Sequence, residues 1–98
     1  MKTKTDLVLS VPEADLLIKN QRGLHARAAS KFVKLAAEFE ADISVSKDGQ
    51  TVSGLSIMGL MMLGAASGDT VTLITEGPQA TAAFDALKTL IDDKFQET

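Results

Sequence analysis

Apolar and polar positions alternate with two different periods along this chain, and the switches between them mark the elements. Leu16-Leu17-Ile18 is a short apolar run closed by Asn20-Gln21-Arg22-Gly23, which predicts a strand and a turn. From about residue 26 the period becomes helical, with Ala29, Phe32, Val33 and Ala36 at i, i+3, i+4 and i+7. Leu35 and Phe39 widen that stripe. Alternation then returns: Ile43 and Val45 point one way, Ser44 and Ser46 the other, and Lys47-Asp48-Gly49-Gln50 predicts a hairpin turn before Thr51-Val52. Ser56 stands where an N-cap belongs, ahead of a short helix over 57–63 that Gly64 ends. Thr70–Glu76 predicts a fourth strand with Val71, Leu73 and Thr75 on one face. Gly77-Pro78 predicts Pro78 as the first residue of a last helix, whose apolar side runs from Ala80 to Phe95. The order βαββαβα, with short strands in an antiparallel or mixed sheet and helices on one face, is an α+β arrangement.

Composition narrows the class. Ninety-eight residues, 45% of them hydrophobic, suit one packed domain and leave no room for two cores. Residues 1–13, with Leu7-Val8-Leu9 and Pro12, predict an N-terminal arm, and 14–98 predict the domain. With no Cys and one His, disulfides, thiolate zinc sites and thiol nucleophiles are excluded, and no metal or other cofactor is expected. The uncharged stretch 50–68 is too diluted by Ser and Gly to cross a membrane. Acidic residues interrupt any leader-like start, so a cytoplasmic location without membrane insertion is expected.

The net charge of −3 hides an asymmetry. Residues 1–34 carry seven basic and three acidic side chains, whereas the rest carry three and ten. An acidic total argues against nucleic acid as a partner. The basic end, with Arg22, Arg27, Lys31 and Lys34, surrounds His25 and favours an anionic group.

Gly23-Leu24-His25-Ala26-Arg27-Ala28-Ala29 departs from helix-start rules. His25 stands where Ser, Thr, Asp or Asn would cap, and Arg27 stands where an acid would favour the dipole. Small Ala side chains leave the first backbone N–H groups open, an end that suits an external anion. A neutral imidazole there can also act as a nucleophile near neutral pH. Residue types alone leave other readings open: an ordinary loop histidine, an anion-binding regulatory module, or an interaction module using residues 54–66. A hydrolase is disfavoured, because no orienting carboxylate lies near His25 in sequence.

The motif Gly23-Leu24-His25-Ala26-Arg27 resembles the active-site motif of the HPr family, the histidine-containing phosphocarriers of the phosphoenolpyruvate-dependent phosphotransferase system. Ser56-Ile57-Met58-Gly59-Leu60-Met61-Met62-Leu63-Gly64 resembles the family's second signature, at matching separation. The resemblance covers about residues 14–95. It implies an open-faced β-sandwich with a four-stranded, mainly antiparallel sheet, in a monomeric carrier that is not an enzyme. It implies phosphoryl acceptance at Nδ1 of His25 from an enzyme I-type protein, delivery to a IIA-type protein, and Arg27 paired with the phosphate. Ser56 would be a regulatory site for an HPr kinase/phosphorylase, although capping alone also accounts for a serine there. Ala28 departs from the family's usual Pro and adds a helix-start N–H. The resemblance suits both sugar-uptake and nitrogen-regulatory carriers. Leu60 and Leu63 are expected in the core, leaving Ile57, Met58 and Met61 to form a partner surface with Leu24, Arg22 and Lys31.

Overall fold

A computed structural model describes residues 12–97. The elements are β1 (Glu13–Leu17), α1 (Ala26–Ala36), β2 (Asp42–Lys47), β3 (Gln50–Ser53), α2 (Ile57–Met62), β4 (Thr70–Glu76) and α3 (Ala80–Asp92), followed by a 3₁₀ turn at Lys94–Gln96. The predicted order βαββαβα is the observed one. The four strands lie in the order β1-β4-β2-β3, and every pairing is antiparallel. Residues 1–11, most of the predicted arm, lie outside the described residues. Glu13 pairs with Ile74 as the first residue of β1.

Register follows from the alternating faces. Val45 sits opposite Leu73 on β4 and Val52 on β3, and Leu16 sits opposite Val71. A slip of one residue would turn these apolar side chains to solvent. Asp48 and Gly49 both take positive φ, 50° and 82°, as a two-residue hairpin turn requires. Ile18 follows β1 and extends its pairing: its N–H donates to Asp69 O at 2.8 Å and its carbonyl accepts from Gly68 N at 2.8 Å. The helices complete the core: α3 lies on β4 and β1, and α1 packs on α2 and α3. From α1, Ala28, Ala29, Phe32 and Ala36 are buried, while Val33 packs partly buried at the margin.

Two expectations about the last helix are corrected. Pro78 is not its first residue. Gly77-Pro78 make a turn, and Gln79 precedes Ala80. The turn is held elsewhere: Gln79 N–H donates to Glu40 O at 3.0 Å, and its Oε1 accepts from Glu40 N at 2.6 Å. Phe95 is not on the helix either. α3 ends at Asp92, and Lys94, Phe95 and Gln96 have φ of 56°, 55° and 60°. Three consecutive left-handed non-glycine residues cost about 1–2 kcal/mol each. Phe95 is nevertheless buried, and the Lys31 ammonium donates to its carbonyl at 2.9 Å. These contacts offset the strain and turn the chain back toward α1.

Candidate functional site

The loop before α1 delivers the imidazole. Gly23 has φ +65°, and a Cβ there would lie 2.5 Å from Ala65 O, so neither its conformation nor its surroundings admit a side chain. The next residue binds the same carbonyl, Leu24 N–H donating to Ala65 O at 2.9 Å. Leu24 was expected on the partner surface; it is 7% exposed and belongs to the core. Backbone bonding to the 64–66 loop draws it inward, and a single apolar loop residue has no periodicity to reveal that.

His25 follows with extended backbone as the N-cap of α1, and its side chain caps nothing. Its carbonyl accepts the first helical bond, from Ala29 N at 2.8 Å. The N–H groups of Ala26, Arg27 and Ala28 precede that bond and so have no intrahelical acceptor. No acidic residue stands in the first turn, as the sequence predicts. The helix end is electropositive and uncapped.

A carboxylate does meet the imidazole, from a direction the sequence does not show. Glu97 Oε1 lies 3.5 Å from His25 Nε2, with both side chains mostly shielded. Glu97 is held independently: Asn20 Nδ2 donates to Oε1 at 2.7 Å and Arg22 N–H to Oε2 at 3.2 Å. The Asn20 amide, followed by the Arg22 N–H and the imidazole, keeps this carboxyl below the ordinary glutamate range. Asn20 is fully buried and also donates to Gly23 O at 2.8 Å, tying Glu97 to the loop that carries His25. The one sequence signal was Phe95, an apolar residue close enough to Glu97 to dock the segment.

The cations divide. Arg22 and Arg27 are exposed, as a basic rim requires. Lys31 is half-buried: its ammonium donates to Phe95 O at 2.9 Å and keeps its charge at the edge of the His25 cleft. Between α1 and the 95–97 segment lies a cleft of about 110 Å³, lined by His25, Arg27, Ala28 and Lys31 on one side and Phe95, Gln96 and Glu97 on the other. Ligand pockets run ~300–1,000 Å³, so this cleft suits a small anionic group better than a metabolite. No cluster of three potential metal ligands occurs among the described residues. Nor is any helix among them long and apolar enough to cross a membrane.

On α2, Ser56 Oγ accepts from Gly59 N at 2.9 Å, the expected cap. Leu60 and Leu63 are buried, while Met58 is 68% exposed and Ile57 and Met61 are also exposed. Leu55 and Met62 enlarge this apolar surface beyond the residues singled out in the sequence.

Comparison with known proteins places this geometry. The family model described as PTS HPr component phosphorylation site matches residues 12–93. A phosphocarrier protein HPr of Cupriavidus necator is 47% identical over 87% of this chain and 96% of its own length. A phosphocarrier protein NPr of Shewanella violacea is 45% identical over 87% and 93%. The crystal structure of HPr-C-His from Thermoanaerobacter tengcongensis superposes with a TM-score of 0.85 at 45% identity, covering 89% of this chain and 98% of that one.

Proposed function

We propose, for a chain that belongs to the HPr family of phosphotransferase-system phosphocarriers, that His25 accepts a phosphoryl group from an enzyme I-type protein and passes it to a IIA-type protein. The observation that carries this reading is the placement of His25: an imidazole at an uncapped helix start, with Nε2 turned to Glu97 and Arg27 lining the same cleft. Nδ1 is then the nucleophile. As its lone pair forms the N–P bond, the bond from phosphorus to the donor breaks, and the donor leaves with that electron pair. The phosphoryl oxygens meet the open helix-start amides and the Arg27 guanidinium, both suited to a dianion. Onward transfer reverses the step toward the IIA-type acceptor. The exposed surface of Ile57, Met58 and Met61 receives these partners, since flexible methionines fit several surfaces in turn. Ser56, half-buried at the edge of that surface, is the regulatory site for an HPr kinase/phosphorylase.

Incubation with enzyme I and phosphoenolpyruvate, followed by intact mass and by acid and alkali treatment, tests the assignment. One acid-labile, alkali-stable phosphoryl group is expected on the parent. His25→Ala should take none while keeping its circular dichroism spectrum and melting transition. Labelling of a folded His25→Ala protein would overturn the assignment.

A further inference from the structure

We infer that Glu97 is a positioning residue for His25, fixing through Nε2 the ring orientation and tautomer from which Nδ1 reacts; this rests on the phosphocarrier reading above. The carboxylate is not a chance neighbour. Both its oxygens are engaged, by Asn20 Nδ2 and by Arg22 N–H, while Oε1 also faces the imidazole at 3.5 Å. Asn20 is fully buried and spends its other amide N–H on Gly23 O, so one side chain sets both the His25 loop and the carboxylate. The approach of Glu97 depends on the left-handed turn at Lys94–Gln96, which Phe95 burial and the Lys31 bond maintain against its strain.

The chemical consequence follows from the two ring nitrogens. A carboxylate facing Nε2 favours the neutral tautomer with its proton there, which leaves the Nδ1 lone pair free. When phosphorus bonds to Nδ1 the ring becomes cationic, and the proton stays on Nε2 opposite the Glu97 charge. No proton leaves in the forward step, and none is needed for its reversal.

Nitrogen NMR of the His25 ring and the rate of enzyme I-dependent labelling, read on the parent, Glu97→Gln and Glu97→Ala, test this. The parent ring should hold its proton on Nε2. Glu97→Ala should move the ring toward the Nδ1–H form and slow labelling roughly tenfold, the scale of losing a partner that orients a histidine. Glu97→Gln keeps an acceptor for Nε2–H and should restore the tautomer and part of the rate. An unchanged tautomer in Glu97→Ala overturns the inference whatever the rate does. A shifted tautomer with an unchanged rate overturns it as well. If the parent takes no phosphate, the phosphocarrier reading falls, and the tautomer measurement alone decides whether Glu97 sets the ring.

Discussion

Gly23 carries two requirements at one residue. It supplies a left-handed turn just before His25, and it lets the backbone pass against Ala65 O. Gly23→Ala combines left-handed strain of about 1–2 kcal/mol with overpacking of about 1–3 kcal/mol. A loss of about 2–5 kcal/mol in urea unfolding is therefore expected. Labelling per folded molecule should fall as well, because the displaced backbone is the one leading into His25. A neutral Gly23→Ala substitution would mean that the 64–66 loop yields without cost.

At the scale of elements, the short helix α2 depends on its cap. It has six residues, no first-turn acid and no last-turn base, so the Ser56 hydroxyl is the main local stabiliser of its start. Ser56→Ala should cost about 1 kcal/mol and leave labelling intact. Ser56→Asp should hold or raise the melting temperature, since a carboxylate caps and favours a helix N-terminus. It should also slow labelling, because the new charge sits beside Ile57, Met58 and Met61 and would be desolvated against a partner. Equal labelling rates in all three proteins at several salt concentrations would reduce Ser56 to a cap.

These elements were legible because their causes are local. Ile43 and Val45 alternate, Asp48-Gly49 suits a tight turn, and Ser56 precedes an apolar run. Where the cause is a distant contact, local pattern misleads. Pro78 looks like a helix start, yet Glu40 holds the following Gln79 outside the helix. Phe95 continues the apolar spacing of Ile91, yet its carbonyl belongs to Lys31 and its chain turns left-handed. His25 and Arg27 were legible as chemistry because they break helix-start rules. Glu97 was not, because nothing within a few residues of it reveals Asn20 or His25 as its partners.

Across the whole molecule, the segment from Asp92 to Glu97 is fastened by charge as well as by Phe95. Lys88 and Lys19 reach Asp92 at 2.8 and 3.3 Å, and the Lys88 bond is the largest cause holding that carboxyl below its ordinary 3.8. Glu97 is likewise held below 4.5, chiefly by Asn20. In the unfolded chain both carboxyls bind protons at higher pH than in the fold. Their stabilisation is complete above the ordinary values and is lost as pH falls through the lower folded ones. Lys47, raised above 10.5 chiefly by its hydrogen bond to Asp48, has the opposite sense: its share is present below 10.5 and is lost as pH rises through the folded value. Solvent screening keeps all three contributions small. Thermal melts should thus be flat through neutral pH and fall below about pH 4.5, and Glu97→Gln should shallow that acid limb. An acid limb unchanged by Glu97→Gln would show that this carboxyl is not clamped.

The far separation of Asn20 and Glu97, 77 residues in sequence, also orders events in time. Strands β2 and β3 are joined by a tight hairpin, whereas β1 waits for β4, more than fifty residues later. Glu97 leaves the ribosome after every strand and helix has been made. A growing chain therefore displays His25 while its carboxylate is still missing and the underside of the sheet still lacks α3. The imidazole therefore meets Glu97 only once the last-made segment has docked.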